Sequence, residues 1–225
     1  MSRHALVTGA SSGIGEAITD RLLSEGWTVT GLSRTVVGRD NHAFHPVSVD
    51  LYNTVALKQV LTTLPQVDAI VHAAGMMKAA PLGELDEKLS QQLWHLHIQV
   101  AEILANMLVH QLPTGGRIIL LGSRTSGGAA GRSQYVCTKS ALKGMVRSWA
   151  AELAPRGITA NIVAPGATET PMLSKPGRES SPPKLPPIGR YIQPGEVAKL
   201  VSYLLSSDAD AMTGQELVIC GGASL

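Results

Sequence analysis

Charge is scarce in this sequence. Only 16% of its 225 residues are charged, against about 25% in an average soluble protein. Glycine (23 residues) and the apolar set (44%) run high instead, which excludes a disordered chain. Nineteen basic residues face seventeen acidic ones for a net charge of +2. With no basic run, a nucleic-acid footprint is excluded. Two cysteines, Cys137 and Cys220, have neither CxxC spacing nor a nearby His pair, so no metal site and no disulfide framework are expected. No apolar run reaches the ~18 residues of a membrane span. A charged-then-apolar leader is missing ahead of the first strand-like run. The expectation is a soluble, reduced, cytoplasmic protein. Linkers and internal repeats are missing as well, so residues 1–225 read as a single domain. A chain of this length buries roughly 70–75% of its unfolded surface.

What is present is an alternation of short apolar runs and helical patterns. Strands are expected at Ala5–Val7, Trp27–Leu32, Phe44–Val49, Val67–Ala73, Arg117–Leu121, Ile158–Val163 and Glu216–Ile219. Helices are expected at Ile14–Ser24, Val55–Leu64, Ser90–Gln111, Gln134–Ala154 and Val197–Ser206. This order indicates βαβ units in a doubly wound, Rossmann-like α/β domain with a mainly parallel seven-stranded sheet. Pro46 lacks a ladder donor and marks the third strand as an edge. Ser174–Arg190 carries five prolines. It reads as a surface loop or, from its place in the order of elements, as a substrate-side lid over about 172–192.

Between the first strand and first helix lies Thr8-Gly9-Ala10-Ser11-Ser12-Gly13-Ile14-Gly15. Glycines there permit a tight turn and close approach to a pyrophosphate, and the helix N-terminus supplies free N–H groups. A dinucleotide site is expected on Gly9, Ser11, Ser12, Gly13, Ile14 and Gly15. Ser33-Arg34 ends the second strand, where an acid would bind a ribose diol. With no carboxylate to repel a 2′-phosphate, and a guanidinium able to pair with it, NADP is favoured over NAD. An ordinary surface arginine is the plainer reading of Arg34.

Tyr135 and Lys139 stand four apart at the start of a helix and share one face. A lysine ammonium beside a phenol lowers its ordinary pKa of about 10 toward neutrality. Such a pair also arises by chance on a solvated helix face. Ser123 gives it weight, ending the fifth strand on the ligand-binding side of the sheet, where its hydroxyl could bond a reacting carbonyl.

With these residues in hand, the sequence resembles the short-chain dehydrogenase/reductase family along essentially its whole length. Thr8-Gly9-x-x-x-Gly13-x-Gly15 is similar to the family's cofactor motif, and Asp50 to its adenine-contacting acid. His72-Ala73-Ala74-Gly75 is similar to its Asn-Asn-Ala-Gly, which places Ala74 and Gly75 at the cofactor. Ser123, Tyr135 and Lys139 match its catalytic trio. Pro165-Gly166 with Thr170 matches the loop that engages the nicotinamide carboxamide. Gly189-Arg190, Gly195-Glu196-Val197 and Thr213-Gly214-Gln215 resemble its C-terminal signature. Three positions depart from the pattern. His97 stands where the family has a relay Asn, and an imidazole there serves either as a relay or as a structural substitute. Ala73 replaces an Asn that braces the fourth strand. The Ser123-to-Tyr135 segment is about one residue short.

The resemblance implies hydride transfer between NADP(H) and a carbonyl/alcohol pair, acting on a small molecule. Ser123 would orient the carbonyl, Tyr135 act as general acid/base, and Lys139 hold the ribose and lower the tyrosine pKa. A non-catalytic NADP-binding sensor on the same fold is the alternative, and oxidation of a diol a further variant. Met76, Met77, Arg124 and Met172 flank the expected site as pocket residues or core filler. Lys175, Arg178, Lys184 and Arg190 against Glu179 read as a solvated loop or as a hint of an anionic substrate. Cys137 reads as packing. The family commonly pairs its long helices across a two-fold axis, implying a homo-oligomer, tetramer or dimer. A second apolar stripe of Trp94, Ile98, Ala101 and Ala105, beside Leu93, Leu96, Val100, Leu104 and Leu108, fits that expectation. The small, uncharged 221–225 tail would allow close approach to a second subunit.

Overall fold

The computed structural model describes residues 2–174 and 181–225. Its centre is a seven-stranded sheet in the order β3-β2-β1-β4-β5-β6-β7, with every neighbouring pair parallel. The strands are β1 (His4–Thr8), β2 (Thr28–Ser33), β3 (Phe44–Ser48), β4 (Ala69–His72), β5 (Arg117–Leu121), β6 (Thr159–Pro165) and β7 (Glu216–Ile219). The helices are α1 (Gly13–Ser24), α2 (Thr54–Thr62), α3 (Glu87–Trp94), α4 (Val100–Leu108), α5 (Ser133–Leu153) and α6 (Pro194–Leu205). Pro46 sits in β3 at the sheet edge, as its missing N–H requires.

Near-continuous apolar strands follow from burial on both faces, and side-chain alternation sorts them. Leu6, Ile70, Ile118 and Ile162 point to the layer of α2, α4 and α5. Their successors Val7, Val71, Ile119 and Val163 point to the layer of α1 and α6. Local chemistry sets the helix starts. Asn53 Oδ1 accepts from Ala56 N at 3.0 Å before α2, Asp86 Oδ1 from Lys88 N at 2.9 Å before α3, and Pro194 opens α6.

The long helix expected over Ser90–Gln111 is instead two α-helices joined by a π turn, His95–Gln99. The wider turn inserts residues into the helical phase, and this corrects the stripe reading. Ile98, Ala101 and Ala105 are buried in the protein's own core, and only Trp94 of that set is exposed. The tail is also turned inward. A Cβ on Gly221 would meet the Ile188 side chain at 2.6 Å, and one on Gly222 that of Pro187 at 3.2 Å. The tail thus packs on the proline-rich segment of its own chain. Residues 181–190 of that segment form neither helix nor strand.

The order reverses between β1 and β4, so the loops leaving these strands run to opposite sides. They open a crevice at the carboxyl ends, where ligands bind in such sheets.

Candidate functional site

The crevice is walled by the ends of β4, β5 and β6 and the first turn of α5. Ser123, Tyr135, Lys139 and His97 all line it, and Ile14, Gly75, Pro165, Gly166 and Thr170 line it from the cofactor side. Met76, Met77, Arg124 and Met172 line it as well. Ser123 is buried where β5 ends; its Oγ accepts from Thr125 N at 3.2 Å and lies 2.8 Å from Thr125 Oγ1. Lys139 is buried one helical turn beyond Tyr135, and its Nζ donates to Leu121 O at 2.7 Å. Burial pushes the ammonium pKa down to about 7, so the amine exchanges its proton near neutrality. The Tyr135 ring has Lys139 Nζ 5.9 Å from its centroid and the His97 ring edge-on at 5.7 Å.

Two buried histidines frame this cluster in fixed tautomers. His97 Nε2 accepts from Met76 N at 3.2 Å, so Nδ1 carries the proton and donates to Thr138 Oγ1 at 2.9 Å. Thr138 in turn donates to Tyr135 O at 2.9 Å. His72 Nε2 donates to Leu96 O at 2.9 Å, leaving Nδ1 to accept from Thr8 Oγ1 at 2.8 Å. Thr8 Oγ1 also accepts from Ala74 N at 3.1 Å. Burial, then the Lys139 charge, pushes His72 down to about 4 and His97 well below its ordinary value. Both imidazoles are therefore neutral. His72 and Thr8 tie β4 to β1, next to the position where Ala73 has no polar side chain to offer. Thr138 was invisible as a site residue in the sequence, because a single threonine carries no pattern, whereas Thr8 was read there only as the first residue of the glycine-rich motif.

The loop after β1 has the shape a pyrophosphate needs. Gly9 has φ +71°, and a Cβ on Gly15 would lie 2.2 Å from Gly9 O. A Cβ on Gly13 would meet the Thr170 methyl at 3.2 Å. The Ser12 side chain does not cap α1, so the first-turn N–H groups stay available to an anion. Gly9, Ser11, Ser12, Gly13, Gly15, Ala74, Arg34 and Asp50 lie outside the cleft lining. Asp50 Oδ1 accepts from Tyr52 N at 3.1 Å. Arg34 is exposed and has no carboxylate partner among the described residues.

Arg39, which the sequence did not single out, reaches the same loop. Its Nη2 donates to Ala10 O at 3.2 Å, its Nε pairs with Asp20 at 2.6 Å, and its guanidinium lies 4.5 Å from the Phe44 ring centroid. Arg39 Nη1 is buried without a partner. These residues fit a dinucleotide carrying an additional phosphate.

From the proline-rich segment, Pro183 and Lys184 line the cleft. Arg132 holds Ser181 through bonds of 2.6 and 2.9 Å. Arg190 is instead engaged outside the cleft by both oxygens of Glu196, at 2.8 Å each. Lys175, Arg178 and Glu179 lie outside the described residues. Cys137 is exposed and Cys220 buried, both as free thiols. Among the described residues no helix is long and apolar enough to cross a membrane, and no group of three His, Cys, Asp or Glu is placed to hold a metal.

The fold and crevice thus define a class, a doubly wound α/β protein with a dinucleotide cradle and a Ser–Tyr–Lys cluster at its switch point. Residues 9–224 match the family model described as enoyl-(acyl carrier protein) reductase. The chain is 31% identical to the 3-oxoacyl-(acyl-carrier-protein) reductase FabG of Thermotoga maritima, over 96% of each chain. It is 34% identical to carbonyl reductase family member 4 of Danio rerio, over 100% of this chain and 99% of the relative. Among solved structures, it is similar to a blue fluorescent protein from a metagenomic library in complex with NADPH. The TM-score is 0.87, with 28% identity over 99% of this chain and 98% of that one. The chain belongs to the short-chain dehydrogenase/reductase family of oxidoreductases.

Proposed function

We propose that the protein is an NADP(H)-dependent oxidoreductase acting on a carbonyl/alcohol pair, with Tyr135 as general acid in reduction and general base in oxidation. The observation that carries this reading is the meeting of Ser123, Tyr135 and a buried Lys139 on one wall of the crevice. When bound, the nicotinamide supplies or accepts the hydride. The Ser123 hydroxyl donates to the carbonyl oxygen, and the Tyr135 hydroxyl delivers the proton. Lys139, when protonated, stabilises the phenolate left behind. Both nitrogens of His97 are engaged, so its role here is to hold Met76 and the start of α5 in place, while the proton travels another way. The names of the relatives, a 3-oxoacyl reductase and a carbonyl reductase, support the reaction class. The NADPH complex of the structural neighbour supports the cofactor, together with Arg34, the unpartnered Arg39 Nη1 and the missing acid after β2. We further propose that the chain acts as one domain with its proline-rich segment as a lid, and that it assembles as a homo-oligomer.

Tyr135→Phe tests the chemistry. The variant is expected to fold and bind NADPH while kcat falls by about three orders of magnitude or more, since the proton route is lost and binding is kept. Near-normal turnover of an aldehyde or ketone by that variant would overturn the assignment.

A further inference from the structure

The substrate half of the crevice has an uneven charge. Among its described lining residues are Arg124, Arg132 and Lys184 but no Asp or Glu. The neighbouring carboxylates are engaged elsewhere, Glu196 by Arg190, Glu216 by Lys143 and Ser126, and Glu169 by Gln193. Arg132 is committed to Ser181. Arg124 is different. It follows Ser123 directly, and its Nη1 donates to Ala223 O at 3.0 Å, which orients the guanidinium. Its Nε and Nη2 have no described partner and are not buried. No ion pair engages it among the described residues.

A cofactor phosphate does not account for this charge. The pyrophosphate cradle leaves β1, and β5, whose following turn carries Arg124, stands two strands away with β4 between them. At the usual inter-strand spacing that separation is about 10 Å. The lining of the same crevice also carries the apolar side chains of Met76, Met77, Met172, Leu173 and Pro183. A guanidinium held at one edge and open at the other matches a planar carboxylate, which it can bind through two parallel bonds.

Resting on the reductase reading above, we propose that Arg124 selects carboxylate-bearing carbonyl substrates, so that the physiological substrate is a small oxo acid or the corresponding hydroxy acid. In reduction the carbonyl carbon gains the hydride of NADPH and its oxygen the proton of Tyr135, yielding the hydroxy acid and NADP+. The carboxylate is unchanged and stays paired with Arg124. Lys184, exposed at the rim, adds positive potential that draws the anion in.

The test is NADPH oxidation with matched pairs of aliphatic 2-, 3- and 4-oxo acids and their methyl esters, with a neutral aldehyde panel alongside. Wild-type kcat/KM is expected to favour at least one acid over its ester by about tenfold or more, the scale of a charge-assisted contact. Added salt should raise KM for that acid and leave the ester unmoved. In Arg124→Met the acid-to-ester ratio should fall to near one, and Arg124→Lys should recover part of it. The wild-type comparison holds even if a variant loosens the tail through Ala223. Equal use of acid and ester by the wild type, or an unchanged ratio in Arg124→Met, would overturn the carboxylate assignment while leaving the reductase standing. No oxidation with any acid, ester or aldehyde would sink both.

Discussion

Arg34 and Arg39 flank the stretch where β2 passes into the following loop, and they differ in how they are held. Arg34 is exposed and unpaired among the described residues, so a phosphate would meet it as a mobile charge. Arg39 is braced by Asp20, Ala10 O and the Phe44 ring, with one nitrogen left over. Removing Arg34 as Arg34→Ala is expected to weaken NADPH binding by ~1.5–3 kcal/mol, the value of charge-assisted bonds, with little effect on NADH. For Arg39→Ala some loss should appear with both cofactors, because the brace on Ala10 goes too. The NADPH loss is expected to be larger by about 1 kcal/mol or more, if Nη1 meets the phosphate. Fluorescence titrations of each variant with NADPH and NADH measure these differences. Equal losses for the two cofactors in both variants would remove the arginines from cofactor selection.

At the scale of elements, His72 is a joint. Its ring fastens β4 to β1 through Thr8 and to the end of Leu96, the second residue of the π turn. The joint works only with a neutral ring, since Nδ1 must accept. Its folded pKa, about 4, lies below the ordinary 6.5. Above pH 6.5 neither folded nor unfolded chain protonates this ring and its contribution is intact. Between 6.5 and 4 the unfolded chain binds a proton that the folded one refuses, so stability falls with pH. Each tenfold difference in proton affinity is worth about 1.4 kcal/mol, so the loss approaches about 3 kcal/mol and levels off below pH 4. His97 pulls in the same direction. Urea unfolding between pH 7 and pH 4.5 should therefore show a steeper loss in the wild type than in His72→Asn. Parallel curves would show that His72 does not carry the acid sensitivity.

At the scale of the whole molecule, an apolar hollow lies away from the crevice. It lies between α4 and α5, where half-buried Ile103, Met107 and Trp149 are ringed by Lys58, Glu102 and Glu152. An apolar centre with a charged rim is the usual anatomy of a protein interface. Of the stripe expected from the sequence only Ala105 lines it, and most of that stripe went into the core. The proposed two-fold assembly is expected to use this face, giving a mass in solution two or four times the 23.6 kDa of one chain. Light scattering on the eluting peak at micromolar concentration reads it directly. Trp149→Glu should lower the mass, and a wild-type peak at the single-chain mass would refute the assembly.

Patterns carried by neighbouring residues were readable without a structure. Val/Ile/Leu runs such as Ile118–Leu121 announce strands buried on both faces, and the Gly9–Gly15 spacing announces a tight turn into a helix. Tyr135 and Lys139 share a face because a helix repeats every 3.6 residues. Only the tertiary structure decided the rest, because it depends on residues far apart in the chain. The π turn that gives His97 its place, and the Met76 N–H that fixes its tautomer, arise from packing between segments 21 residues apart. Arg124 is aimed by Ala223, 99 residues away, and the described lining of the crevice holds no Asp or Glu, with Glu169, Glu196 and Glu216 engaged by other partners. Local spacing fixes what an element is. Which side chains face each other across a sheet, and which charges are left unpaired there, is settled only when distant elements compete for the same space and the same hydrogen bonds.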